Sequence, residues 1–334
     1  MTDLKLYGLR ISYYTGKMEA YLRYKEIDHE FIVLNRARMR LLKAKTGAAQ
    51  MPAIELSDGR FMTDTTPMMA WLEKEYPSTP VIPKEPLLRF VALLLEDYFE
   101  EWLWRPAMHY RWSYETDRLH LSRKIVDELM TDVPLPASWK RAMIRRRQHV
   151  EYVKKDGVDS NTWNHVESIY LTTLTRLEVV FSNRSFLLGE RPTAADFGLF
   201  APMFRHFAQD PTASDIMRLK APRVFEWQAR LWNARESQTK GALVTRLPDD
   251  LTPIFEDITN GYLPYLNANA LAWQKGMERF NPVIQGIQYR EVPVSQYRVW
   301  CFGAASTKAS GTSRRVSHSY RYAYSTAILP RAAT

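Results

Sequence analysis

Three short runs hold the residues that could do chemistry. Ser12-Tyr13-Tyr14-Thr15-Gly16-Lys17 puts several hydroxyls at the entrance of a helix. Gln50-Met51-Pro52 stands before a strand, and Thr63-Asp64-Thr65-Thr66-Pro67 stands before a second helix. The first turn of a helix leaves backbone N–H groups unpaired and favours anions. A hydroxyl or carboxylate there either caps the helix or helps to hold a ligand, and for Asp64 and Thr65 the residues alone leave both readings open. Pro52 has no N–H for a sheet ladder, so it belongs at a strand's first position or on an edge. A cis Met51–Pro52 bond is expected, because cis costs an X–Pro bond only about 0.5–1 kcal/mol. A fourth group is aromatic: Trp102, Trp104, His109, Tyr110 and Trp112 crowd one predicted helix.

The elements around these runs are set by pattern and punctuation. Residues 4–9 read as a strand, and 14–25 as a helix with Met18, Tyr21 and Leu22 on one face. Residues 29–34 read as a second strand, and 36–45 as a short basic helix stopped near Gly47. Residues 52–56 and 60–62 form a hairpin across Ser57-Asp58-Gly59, since Asp-Gly is a strong turn signal. A helix over 66–76 completes an α/β unit ordered βαβ then ββα. Four prolines, Pro77, Pro80, Pro83 and Pro86, mark the segment after Tyr76 as a linker. Beyond it the strand signal fades. Helices are expected over 86–112, 119–130, 137–154, 162–182, 193–208 and 222–236. Thr193 with Asp196 forms a capping box at the start of one of them.

The chain has 334 residues, enough for about two domains. Neither a secretory signal nor an apolar stretch long enough to span a bilayer is legible; the longest apolar run, Phe90 to Leu95, lies between Arg89 and Glu96. The single cysteine, Cys301, excludes an internal disulfide framework and a Cys-x-x-Cys pair, so a reducing cytoplasm is the expected compartment. The formal net charge is +9, but five of those charges fall in the acid-free tail 302–334. Another basic cluster, Lys140, Arg141, Arg145, Arg146 and Arg147, lies on one predicted helix and reads as a solvated face. Nucleic acid is therefore set aside as the main partner.

In this order and spacing the runs resemble the glutathione transferase superfamily. The resemblance rests on Gln50-Met51-Pro52 before a strand, Thr63-Asp64-Thr65 before a helix, and Phe186-Leu187-Leu188-Gly189 through Asp196 in the second half. It covers roughly residues 4–240. It implies a thioredoxin-like α/β domain over 1–80 and an all-helical domain over 81–300. An insertion near 113–160 and an extension from about 245 of that second domain lie outside the shared pattern, and the composition of 302–334, rich in Ser, Ala, Thr and Arg, reads as a flexible basic tail. The resemblance also implies that glutathione binds the first domain as co-substrate, with Met51's backbone pairing with the cysteinyl part. Gln50 would stand near the glycine carboxylate, and Asp64 and Thr65 would hold the γ-glutamyl end.

A thiol of pKa about 8.5 is only a few per cent ionised at neutral pH, so such an enzyme must favour the thiolate. The resemblance points to Ser12 as the activating hydroxyl, with Tyr13 and Tyr14 as alternatives. The electrophile would lie between the domains, with Trp104, His109 and Tyr110 as candidate lining. The function so implied is that of a transferase conjugating the thiolate to an apolar electrophile, with no metal and no membrane partner, acting as a homodimer. The alternatives are a non-catalytic scaffold that kept the fold, or a glutathione-dependent lyase or reductase. Exchange through a protein cysteine is disfavoured, because residues 1–300 contain none.

Overall fold

The structure, a computed structural model, describes residues 4–301. The first domain is built on a four-stranded sheet ordered β2-β1-β3-β4. Its strands are β1 (Leu4–Gly8), β2 (His29–Val33), β3 (Ala53–Leu56) and β4 (Phe61–Thr63). β1 pairs parallel with β2 and antiparallel with β3, and β3 pairs antiparallel with β4. Parallel β1 and β2 need a crossover, which α1 (Tyr13–Tyr24) supplies. α2 (Arg36–Thr46) leads into β3 and stops where Gly47 turns left-handed at φ 79°. α3 (Thr65–Glu75) follows β4. All seven elements were expected, with boundaries moved by a residue or two.

The second domain begins with α4 (Pro86–Trp102), whose first turn starts at a proline and is capped by Glu85. Instead of one helix to residue 112, the chain breaks at Leu103 and resumes as α5 (Trp104–Ser113). Pro106 explains the break: it has no N–H to return to Trp102. α6 (Glu115–Leu129) and α7 (Ala137–His149) follow, and α7 runs on through a π-helical turn over Val150–Lys154. Next come α8 (Trp163–Asn183) and α9 (Ala194–Pro202). α10 (Pro211–Lys220), which was not anticipated, is separated from α11 (Pro222–Asn233) by one residue.

The start of α9 shows half of its box plainly. The Asp196 carboxylate accepts from the Thr193 N–H at 2.9 Å and also holds the Leu187 N–H. α9 crosses α4 closely because Gly198 leaves room; a Cβ there would lie 2.6 Å from the Glu96 Cα.

The extension adds α12 (Thr252–Asp257) and α13 (Leu263–Gln274). Contrary to expectation, it is not wholly helical. Two small antiparallel ladders join β5 (Arg279–Phe280) to β8 (Val292–Pro293), and β6 (Val283–Ile284) to β7 (Ile287–Gln288). Such two-residue strands are too short to leave an alternating pattern in sequence. Residues 296–301 are again helical, and the basic tail anticipated over 302–334 lies outside the described residues. Among the described residues no helix is long and apolar enough to cross a membrane.

Candidate functional site

Sheet register alone brings the three runs together. Tyr7 sits opposite Ala53, and Ala53 opposite Thr63. The loop after β1, the approach to β3 and the exit from β4 therefore share one end of the sheet. Ser12 lies on the first, Gln50-Met51-Pro52 on the second, Asp64-Thr65 on the third. The Met51–Pro52 bond is cis, as expected. Gln50 is exposed, while Met51 is half-buried and packs on the core.

Each of these residues also has a local duty. Ser12 caps α1 by accepting the Thr15 N–H at 3.4 Å, which leaves the hydroxyl proton to donate. Asp64 caps α3 by accepting the Thr66 N–H at 3.3 Å, from a left-handed backbone at φ 70°. That conformation is uncommon outside glycine, asparagine and aspartate. Burial pushes the Asp64 carboxyl up to about 6, against the opposing pull of Lys17 and the Thr66 N–H. Thr65 is buried.

The hydroxyl alternatives are placed differently. Tyr13 is buried between the domains, and its hydroxyl donates to the Glu100 carbonyl at 3.0 Å and the Phe99 carbonyl at 3.3 Å. Burial, then Glu100 and Glu101, hold its pKa well above the ordinary value. Tyr14 is half-buried, donates to Glu101 Oε1 at 3.3 Å and stacks on Trp104 with centroids 6.2 Å apart.

Beneath the site lies a charged cluster that sequence reasoning missed. Lys17 on α1 is fully buried, with Nζ 2.7 Å from Glu96 and 2.6 Å from Glu100 on α4. Thr66 Oγ1 donates to the same Glu96 oxygen at 3.1 Å. Burial alone would lower the Lys17 pKa, but Glu100 and Glu96 outweigh it and hold the cation charged. Burial pushes the Glu100 carboxyl well up, with Lys17 opposing. The cluster joins the first turns of α1 and α3 to the helical domain. Arg111 makes a second joint: it pairs with Asp210 at 2.8 Å and donates to the Ile11 carbonyl at 3.1 Å, beside Ser12. The available signal was an ionisable residue inside an apolar helical run, which Glu96 and Glu100 both are.

A cleft of about 310 Å³ opens next to Tyr14. Tyr14, Trp104 and Tyr152 give it aromatic walls, and Glu101, Lys155 and Arg298 give it charge. Burial raises the Glu101 carboxyl to about 7, with Arg298 opposing from 3.5 Å. Of the three aromatic candidates, Trp104 is on this cleft. His109 and Tyr110 are not: both are buried inside the helical bundle. His109 sits 3.2 Å from Glu167 and 2.9 Å from Ser113, and Tyr110 packs on Tyr170 and Tyr114. Helical spacing is the reason, since residues five and six positions on from Trp104 point to the opposite side of α5. Burial lowers the His109 pKa despite Glu167. No group of three or more His, Cys, Asp or Glu side chains is placed to hold a metal ion among the described residues.

A sheet ordered β2-β1-β3-β4 with a cis-proline entering β3, followed by a helical domain, defines a thioredoxin-like domain joined to a helical bundle. Residues 6–80 match the model of the glutathione S-transferase N-terminal domain. The match spans the first domain, which is similar to the N-terminal domain of glutathione transferases. Among solved structures it is similar to the beta-etherase LigF from Sphingobium sp. strain SYK-6. The identity is 18%, the TM-score 0.48, and the match covers 77% of this chain and 100% of that one. It is also similar to a glutathione S-transferase from Rhodospirillum rubrum F11, at 18% identity and TM-score 0.44, covering 69% and 88% of the two chains. A rice glutathione transferase solved with glutathione gives 14% identity and TM-score 0.45, with coverage of 69% and 87%. No curated protein matches the chain.

Proposed function

We propose that the protein is a glutathione-dependent transferase acting on an apolar, partly aromatic electrophile. The observation that carries this reading is the convergence of Ser12, Met51-Pro52 and Asp64-Thr65 at one end of a sheet in a domain similar to the N-terminal domain of glutathione transferases. Glutathione lies along the approach to β3, with its cysteinyl part against the Met51 backbone. Gln50 faces the glycine carboxylate. Asp64 accepts from the γ-glutamyl ammonium, and the α3 N-terminus with Thr65 receives the neighbouring carboxylate. Ser12 is preferred over Tyr13 as thiol activator, because the Tyr13 hydroxyl is engaged by two carbonyls.

The thiolate sulfur attacks an electrophilic carbon held in the Tyr14–Trp104 cleft. A new S–C bond forms, and the leaving group departs with its electron pair, or in an addition the π pair moves onto the acceptor and is protonated. A homodimer in a reducing compartment is part of the same proposal, and light scattering tests the dimer.

Titration calorimetry with glutathione is the direct test. Binding is expected, and Asp64→Ala should weaken it at least several-fold. A flat titration at roughly millimolar glutathione, within the usual KM range, would move the protein to the scaffold reading. Binding without turnover of any aryl halide or enone would leave a glutathione-binding protein that is not a transferase.

A further inference from the structure

Two basic helices remain outside this chemistry. α2 carries Arg36, Arg38, Arg40, Lys43 and Lys45, and α7 carries Lys140, Arg141, Arg145, Arg146 and Arg147. Neither contains an acid. They belong to one region of the surface, because Asp132 in the loop before α7 accepts the Arg36 and Ala37 N–H groups at 3.1 and 2.8 Å.

α7 is one-sided in its packing. Ile144 is its buried residue, and Lys140, Arg141 and Arg145 flank that inner face. Lys140 donates to the carbonyls of Met130 and Val133, and Arg141 reaches Asp127 at 3.9 Å. The outer face presents Trp139 at 66% exposure, Met143 at 54%, then Arg146 and Arg147. Leu135, 39% exposed, adds a third apolar side chain just before the helix. An exposed tryptophan costs free energy in water, and here it stands beside two more apolar groups within a basic surround.

We propose that this face is a peripheral docking surface for an anionic lipid bilayer. Charge selects the class of partner: a surface with ten basic residues on two acid-free helices attracts an anionic one and repels a second copy of itself. The apolar point selects the bilayer. Tryptophan beside aliphatic side chains, ringed by Lys and Arg, matches the headgroup boundary, where an aromatic ring and short apolar chains insert while cations stay with the headgroups. A nucleic-acid backbone offers nothing for Leu135 and Met143. The sequence set membranes aside because no segment spans one, and a surface contact needs no span. The proposal is independent of the glutathione reading.

The test is co-sedimentation of the full chain with vesicles of phosphatidylcholine alone or of phosphatidylcholine with phosphatidylserine. Binding is expected only to the second, weakening as salt is raised. Reversing charge with Arg146→Glu and Arg147→Glu should lower binding at least ~10-fold, and Trp139→Ala by roughly the same factor. These side chains are exposed, so thermal unfolding of each variant should match the parent. Three outcomes overturn the proposal: no binding to either vesicle; binding that both variants retain, which assigns it elsewhere in the chain; or binding of a duplex or single-stranded oligonucleotide lost on Arg146→Glu/Arg147→Glu while vesicles are ignored, which makes the face a nucleic-acid surface.

Discussion

The two halves of the candidate site are built on different principles. The edge of the first sheet uses backbone and caps: a peptide bond before Pro52, a hydroxyl at the head of α1, a carboxylate and hydroxyl at the head of α3. The cleft beside it uses long side chains from distant segments, with Tyr14 from α1, Glu101 and Trp104 from the α4–α5 junction, and Arg298 from the extension. Backbone geometry is set by topology and survives many substitutions. Side-chain geometry can be rewritten one residue at a time. Under the proposed function, the difference assigns recognition of the constant ligand to the end of the sheet and choice of electrophile to the cleft. The Lys17 cluster and Arg111 fasten the two halves together.

The largest effect should come from breaking that fastening. Lys17→Met leaves Glu96 and Glu100 buried without their cation. Removing one partner of a buried ion pair costs about 3–5 kcal/mol. Denaturant unfolding of the apo protein measures this, and a loss under about 1 kcal/mol, the range of surface pairs, would mean that solvent reaches the cluster.

Next is Ser12→Ala, which touches the sheet edge alone. Loss of one donor to a developing anion costs on the order of 10²-fold in rate. The pH midpoint of turnover should rise while glutathione affinity stays similar. Tyr13→Phe and Tyr14→Phe are the controls; full rate in Ser12→Ala with loss in either tyrosine variant would pass activation to that tyrosine.

The cleft is probed separately by Trp104→Ala. Trp104 stacks on Tyr14 and meets Tyr152 edge-on at 5.7 Å. Its removal should raise the KM for an aromatic electrophile roughly 10–100-fold, in line with pocket contacts worth about 1–3 kcal/mol, and leave the KM for glutathione unchanged. Equal rises in both would show that the two halves are not separable.

The same contrast explains what was legible in the sequence. The first domain is written locally: Pro52, the Asp58-Gly59 turn and Gly47 each fix a backbone feature at their own position. Hence every element of the first domain is legible from the residues alone. The cleft is written non-locally. Lys17 gains its meaning from Glu96, 79 residues away, and no pattern within a helix announces that meeting. Arg298 reaches Glu101 from the distant extension, which Asn269 holds at Ser295 by two hydrogen bonds of 2.8 Å. His109 and Tyr110 were misplaced for a related reason. Aromatic density marks a helix as packed, but Trp104 lies on the far side of α5 from His109 and Tyr110, and which side meets the cleft is set by segments distant in sequence.

The gentlest probe of the sheet edge is pH. Burial holds the Asp64 carboxyl near 6 in the folded protein, with Lys17 and the Thr66 N–H opposing. Because this folded pKa lies above the unfolded value, ionising Asp64 costs the folded state stability as pH rises through that window. A ligand ammonium placed against the carboxylate would offset the cost, so binding should favour the ionised form. Glutathione affinity should therefore be level above that pKa and fall about tenfold for the first full unit below it, as protons compete for the carboxylate. Asp64→Asn keeps the acceptor that caps α3 but has no titration, so its affinity should be weaker and flat across the same range. Calorimetry in matched buffers reads both curves. If the parent's affinity is already flat a unit below the pKa, Asp64 does not face the ammonium. It is then a helix cap, and the γ-glutamyl end must be held from another side.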